Sequence, residues 1–203
     1  MKIICLARNY VAHARELNNP LPEKPLFFMK HENCILRDNK PFHYPDFSSD
    51  IHHEVELVLK ISKPGRNINR SYAHGFFDEV GLGIDFTARD LQKEAREAGA
   101  PWEIAKAFDH SAPLGPFIPL RELGDVDRLS FRLDINGQTV QQGDTGLMIF
   151  PVDVQISYIS RFIALEAGDL IFTGTPAGVG PVKVGDRLQA WLMDREMLDF
   201  YVK

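Results

Sequence analysis

The segment HHEVELVLKI, residues 52–61, constrains the fold more than any other part of this chain. Its Val, Leu and Ile content predicts a strand over Glu54–Ile61, in which successive side chains point to opposite faces. Glu54 and Glu56 then share one face, about 6.6 Å apart at about 3.3 Å per residue. Both carboxylates can converge on one cation at oxygen distances of about 2.1 Å. An all-oxygen donor set favours Mg²⁺, Mn²⁺ or Ca²⁺ over zinc. The alternative is a solvent-facing strand with ordinary charges. His52 and His53 lie on opposite faces, which argues against their holding one ion together.

Period-2 alternation marks further strands at Ile3–Leu6, Pro25–Met29, Val80–Phe86, Leu129–Ile135, Leu170–Thr173, Gln189–Met193 and Leu198–Val202. Asn136-Gly137, between two such runs, is a two-residue hairpin signal because both residues tolerate positive φ. Helices are fewer. Thr87 and Asp90 predict a capped helix over Ala88–Ala98, with Gly99 and Pro101 as stop signals. Pro151 opens a second helix, with Val152, Ile156, Ile159 and Ile163 on one face before Gly168. A third covers Asn9–Leu17, with Tyr10, Ala14 and Leu17 inward. Strands dominate without regular alternation with helices, which predicts an α+β class with a largely non-parallel, curved sheet.

The 203 residues, 44% hydrophobic, suffice for one core without disulfides, so a single domain spanning 1–203 is expected. A net charge of -5 excludes phosphate-driven nucleic-acid binding as the main role. No run approaches the roughly 20 apolar residues of a membrane helix. Cys5 and Cys34 read as reduced core residues. An apolar run at Ile3–Leu6 and alternation up to Val202 leave little sequence for targeting, which predicts a cytoplasmic protein.

Four other features carry chemistry. Asp85 in GLGIDFTARD stands at a strand-to-helix corner, where it either completes a three-carboxylate site with Glu54 and Glu56 or caps the helix. His13 and Glu16 lie at i and i+3, so the carboxylate can hold one ring nitrogen while the other accepts a proton from water. An exposed, idle pair is the alternative. Lys106 stands among apolar and small residues, either functional or snorkelling. The Gly-rich run Thr173–Pro181 offers amides for a carboxylate, or a plain tight hairpin loop.

In this order, ARNYVAHARELNN, PLFFMK, HHEVELVLKI, GIDFTARDLQ, PWEIAKAFDHSAPLGPF, INGQTVQQGDTGLMIF and GDLIFTGTPAGVGPV resemble the fumarylacetoacetate hydrolase family, in particular its small acylpyruvases and oxaloacetate decarboxylases. The resemblance implies a strand-rich mixed β-roll with outer helices, a homodimer, and a chain without the separate amino-terminal domain of larger relatives. It implies that Glu54, Glu56 and Asp85 hold Mg²⁺ or Mn²⁺, and that His13 and Glu16 activate water on a lid. Lys106 matches the lysine near the metal, Arg89 and Gln92 match polar groups lining the pocket, and Thr175 matches a residue of the carboxylate-binding loop. One departure is His31-Glu32-Asn33, where relatives more often carry a proline and small polar residues; a change in the pocket rim is expected there.

Three carboxylates and a divalent cation leave a charge of -1, so a positive group such as Lys106, joined by Arg89, must balance a small anionic 2-oxo acid. The leading expectation is a metal-dependent hydrolase that cleaves a carbon-carbon bond of an acylpyruvate-like 2,4-dioxo acid. Oxaloacetate decarboxylation and isomerisation of a 2-hydroxyhepta-2,4-diene-1,7-dioate-type acid are the alternatives. A non-catalytic metal or 2-oxo acid binding domain would have no need of the His13–Glu16 pair.

Overall fold

The computed structural model describes residues 1–16 and 20–203. In chain order its first elements are β1 (Ile3–Ala7), α1 (Val11–Glu16), β2 (Leu26–Lys30), β3 (Ile35–Leu36), β4 (Ile51–His53), β5 (Val55–Ile61) and β6 (Phe77–Ile84). There follow β7 (Thr87–Ala88), α2 (Arg89–Ala98), α3 (Glu103–Lys106), β8 (Ala112–Pro113), β9 (Ile118–Pro119), β10 (Ser130–Ile135) and β11 (Gln138–Asp144). The remainder are α4 (Val152–Ile159), β12 (Leu170–Phe172), β13 (Gly180–Pro181), β14 (Arg187–Leu192) and β15 (Arg195–Tyr201).

The class is α+β, as expected. A six-stranded sheet runs β2-β1-β12-β5-β6-β9, a four-stranded one β11-β10-β14-β15, and a three-stranded one β13-β4-β7. Pairing is antiparallel except for β1 with β12 and β3 with β8. β1 is buried on both faces. Ile4 and Leu6 enter the main core with Leu57, Leu59 and Leu82, while Ile3 and Cys5 pack with Cys34, Val58, Leu170 and Phe172. This two-sided burial explains the unbroken apolar run. Both cysteines are free and buried. No helix among the described residues is long and apolar enough to cross a membrane.

Local rules explain most boundaries. Asn136 and Gly137 take φ of 52° and 79°, the paired positive angles of a tight hairpin between β10 and β11. Gly99 ends α2 at φ 64°. Three expectations need correction. Thr87 does not cap α2: its hydroxyl donates to the Asp85 carbonyl and accepts from Lys106, and Ala88 holds the cap position with no side-chain bond. The helix after Pro151 stops at Ile159, because the Ser160 hydroxyl turns back to the Ser157 carbonyl and also receives the Ile68 amide. Met193, expected in a strand, sits at φ 55° in the turn between β14 and β15. The helix expected from Asn9 begins only at Val11; Tyr10, just before it, and Ala14 within it are buried as expected, and Leu17 lies outside the described residues.

The bend between β1 and α1 is fixed by Asn9, which is fully buried. Its amide donates to the Phe150 and Thr173 carbonyls at 3.1 and 2.8 Å, and its carbonyl oxygen accepts from the Phe150 amide at 2.8 Å. Asn9→Ala removes all three bonds and leaves buried backbone groups without these partners. We expect a loss of about 2–4 kcal/mol in urea unfolding; a loss below about 0.5 kcal/mol would contradict this anchoring role.

Candidate active site

The register of β5 and β6 explains how three carboxylates meet. Val55 pairs with Ile84 and Glu56 with Gly83, so Glu54 and Asp85 stand opposite each other one step beyond, tied by the Asp85 amide to the Glu54 carbonyl at 2.8 Å. Glu54 sits at the joint between β4 and β5, not inside a continuous strand. Glu54, Glu56 and Asp85 are all buried, and one oxygen from each lies within 4.8 Å of the others. Such an all-oxygen set suits a hard divalent cation. On its other side β5 pairs with β12, and the loop after β12 turns the Gly174 amide onto Glu56 at 2.7 Å.

Cations hold this cluster together. The Lys106 ammonium, at the end of α3, reaches Glu54 at 2.9 Å, Asp85 at 2.6 Å and the Thr87 hydroxyl at 2.6 Å. Arg89, opening α2, pairs with Glu54 at 2.5 Å and donates to the Gln92 carbonyl oxygen at 2.6 Å. Lys106 is thus no snorkelling lysine. Burial alone would raise the Glu54 carboxyl, but Lys106 and Arg89 outweigh it and hold Glu54 well below the ordinary carboxylate range. Glu56 moves the other way: burial, then Asp85 and Glu54, push it well above that range against the pull of the Gly174 amide. Burial would lower Lys106, but Asp85 and Glu54 win and raise it.

Lys30 escaped the sequence reading. It ends β2 with no exposure, pairs with Asp85 at 2.9 Å, and donates to the Ser111 hydroxyl at 2.8 Å and to the Ser111, Phe86 and Lys106 carbonyls. A signal existed. Phe28 and Lys30 share a strand face, and Phe28 packs under the Lys106 ammonium at 5.1 Å.

His13 is buried on α1 with Nδ1 3.4 Å from Glu16 Oε2, and Glu16 accepts the Gly178 amide at 3.0 Å. Burial lowers the His13 pKa beyond what Glu54 and Glu16 restore, so the ring favours its neutral, proton-accepting form. Two amides of the Gly-rich run are therefore taken by the chain's own Glu56 and Glu16. Gly174 and Gly178 present them at φ of 101° and 97°, where a Cβ would meet Asn9 in one case and the Val140 carbonyl in the other. The Thr175 hydroxyl donates to the Val55 carbonyl and accepts from Gln141 of β11, which also receives the Val55 amide and bonds His53. His52 pairs instead with Asp50, so the two histidines have separate partners.

One cavity of about 460 Å³, including its open mouth, is lined by His13, Glu54, Glu56, Asp85, Arg89, Gln92, Lys106 and Thr175, with Arg8, Arg96, Phe28 and Trp102 among its other walls. Eight of the nine residues named from the sequence meet there; the ninth, Glu16, is exposed and touches His13 from outside the lining. His31, Glu32 and Asn33 are exposed and are not among the lining residues, so the expected change of the pocket rim is not found.

The profile of the fumarylacetoacetate hydrolase C-terminal domain matches residues 2–202. A mitochondrial oxaloacetate tautomerase of Caenorhabditis elegans is 39% identical over 202 residues, covering 100% of this chain and 94% of that protein. A mitochondrial oxaloacetate decarboxylase of Dictyostelium discoideum is 41% identical over 199 residues, 97% of this chain and 91% of that protein. Among solved structures, a fumarylpyruvate hydrolase from Pseudomonas aeruginosa in complex with Mn²⁺ and pyruvate superposes with a TM-score of 0.95 at 39% identity, covering 100% of this chain and 89% of that one.

The pairing of Lys30 with Asp85 is open to a double-mutant cycle. Lys30→Met should cost about 3–5 kcal/mol, because it strips a partner from a buried carboxylate. In an Asp85→Asn background the same change should cost at least about 1.5 kcal/mol less. Additive losses in chemical denaturation would show that Lys30 acts through its carbonyl and hydroxyl acceptors alone.

Proposed function

This chain belongs to the fumarylacetoacetate hydrolase family, and from that premise we propose a divalent-metal-dependent hydrolase that cleaves the carbon-carbon bond of an acylpyruvate-like 2,4-dioxo acid. The observation that carries the reading is buried His13 on the wall of the cavity that holds the three carboxylates, with its ring nitrogen against exposed Glu16. Glu54, Glu56 and Asp85 would hold Mg²⁺ or Mn²⁺, and their mutual distances and oxygen-only chemistry fit either ion. When bound, the cation supplies Lewis-acid polarisation of the oxygens of a 2-oxo acid.

The rest falls to the chain's own groups. Neutral His13 takes a proton from water as the oxygen attacks the distal carbonyl of the substrate, and Glu16, pinned by Gly178, stabilises the imidazolium. Lys106 offers its ammonium to the oxyanion. The bond between carbons 3 and 4 then breaks, its electron pair leaves on the pyruvate side, and the proton returns to carbon 3. Arg89, Gln92 and Thr175 complete the substrate-binding wall. The family's homodimer and a single catalytic domain over 1–203 belong to the same proposal.

A second reading has support of its own, since two relatives at 39% and 41% identity are named as acting on oxaloacetate. Tautomerising or decarboxylating that acid requires no attacking water. These relatives are also named mitochondrial, so they lend no support to the cytoplasmic expectation.

Two outcomes test these roles. Glu56→Gln keeps an acceptor for the Gly174 amide but removes a charge that burial and its neighbours oppose. It should weaken Mn²⁺ binding by more than about 100-fold in calorimetry while leaving the metal-free thermal midpoint unchanged or higher. Undiminished Mn²⁺ affinity would contradict the ligand role. His13→Ala should slow acetylpyruvate hydrolysis by about 10²–10⁴ and oxaloacetate decarboxylation by under about tenfold; equal losses would favour the second reading. Because burial lowers the folded pKa of His13, the wild-type acid limb of kcat/KM should lie below the ordinary His value of about 6.5 and vanish in the variant. The same shift makes the stability contribution of His13 full above that value and lost as pH falls. No metal-dependent turnover of any 2-oxo acid would leave a binding domain.

A further inference from the structure

Gln141 takes no part in the chemistry above, yet its carboxamide is buried, at 1% exposure, between the strands and the loop that build the site. Its oxygen accepts the Val55 amide at 3.1 Å and bonds the His53 ring at 2.9 Å, on either side of Glu54. Its nitrogen donates to the Thr175 hydroxyl at 2.8 Å and to the Pro176 carbonyl at 3.0 Å. The orientation is forced, because the Val55 amide can only donate and the Pro176 carbonyl can only accept. All four hydrogen-bonding positions of the carboxamide are therefore used, two beside Glu54 and two on the Gly-rich loop. The single proton of the Thr175 hydroxyl goes to the Val55 carbonyl at 2.9 Å, which ties loop to strand a second time.

The backbone of β11 gives an independent argument. It is the edge strand of the four-stranded sheet, and its register with β10 passes over Val140: Leu133 faces Gln141 while Asp134 faces Thr139. A bulge of this kind re-aims the side chain beside it and is common next to functional sites. The Val140 carbonyl packs onto Gly178, where a Cβ would collide with it. β11 thus grips the loop twice, by the Gln141 side chain at Thr175 and Pro176 and by its backbone at Gly178. That same loop gives the Gly174 amide to Glu56 and the Gly178 amide to Glu16, the partner of His13.

We propose that Gln141 is a positioning residue that fixes the His13–Glu16 pair relative to the three carboxylates. It acts through the loop and the Val55 backbone, holding groups that hold the reacting ones. The inference rests on the proposed function, because only a reaction that uses the pair depends on this separation. A residue that merely stabilised the fold would lower metal binding and every reaction together.

The test uses two variants of the Mn²⁺-loaded protein. Gln141→Met is similar in length and breaks all four bonds, whereas Gln141→Glu keeps acceptors for Val55 and His53 and loses both donors to the loop. Each should lower kcat for acetylpyruvate hydrolysis by about 10², the loss that a misplacement of about 1 Å brings, with KM changed by less than about threefold. Oxaloacetate decarboxylation and Mn²⁺ affinity in calorimetry should each change by under about tenfold. Undiminished hydrolysis in a folded variant, or an equal loss in both reactions, overturns the proposal. Should Gln141→Met fail to fold, Gln141→Glu decides alone. Gln142→Glu places the same charge on the exposed neighbour and should leave both reactions unchanged; a matching loss there would assign the effect to charge and overturn the proposal. Amide exchange in the metal-free protein needs no turnover, so it separates this outcome from failure of the function. If the wild type does not hydrolyse acetylpyruvate, the hydrolase reading falls. The positioning role still stands if Gly174 and Gly178 exchange at least about tenfold faster in the variants while Gly65, bonded to Leu165, keeps its rate. It falls if the two loop amides exchange as in the wild type.

Discussion

Everything near the site answers to one constraint: three carboxylates buried together at the edge where β5 meets β6. The antiparallel register sets Glu54 against Asp85 and brings Glu56 alongside, so the backbone pairing itself enforces the crowding. Burial makes each charge costly, and proximity makes each neighbour's charge costlier. The surrounding elements read as responses. β2 ends in Lys30, α3 ends in Lys106, α2 begins with Arg89, and the loop after β12 presents the Gly174 amide. Apart from Arg89, which stands four residues after Asp85, these groups lie far from the carboxylates in sequence, and the antiparallel pairing of β5 with β12 is what brings the loop within reach.

The responses are unequal, and the inequality carries chemical content. Glu54 has two cations and lies low; Glu56 has one amide and lies high. Two residues of one strand face thus differ in kind: one is a fixed charge, the other a group that gains from a proton or a cation. Lys106 spends two of its donors on Glu54 and Asp85, two of the three carboxylates that would hold a metal under the proposed function. Under the proposed function the same ammonium would also serve the anionic substrate, so one side chain both stabilises the cluster and supplies positive charge to the cavity.

The sequence disclosed what local periodicity controls. Period 2 put Glu54 and Glu56 on one face, a strand-to-helix corner picked out Asp85, and an ammonium among apolar residues picked out Lys106. It hid what non-local partners decide. Lys30 looks like an ordinary charged strand end until Ser111 and the Lys106 carbonyl close around it. Asn9 looks like a turn residue until Phe150 and Thr173 arrive. Thr87 satisfied every local rule for a cap, yet Lys106 claims its hydroxyl. The helix after Pro151 kept its apolar period past Ile159, but a hydroxyl bond from Ser160 ended it. In each case tertiary demand overrode a correct local preference.

The Gly-rich loop shows how far that override reaches. Read alone, it offers amides to a ligand; folded, it spends Gly174 on Glu56 and Gly178 on Glu16. One short loop therefore holds a member of the carboxylate cluster at one end and the partner of His13 at the other. Both glycines lie at positive φ and leave no room for a Cβ, so neither amide could be presented by another residue without moving Asn9 or the β11 backbone. Gln141 fixes the middle of the loop from a different sheet. The separation between the His13–Glu16 pair and the carboxylates is thus set by backbone geometry, which is stiffer than any pair of side chains. Under the proposed function, water, base and 2-oxo acid must stand in register, and that stiffness would hold the two groups of side chains at a fixed separation.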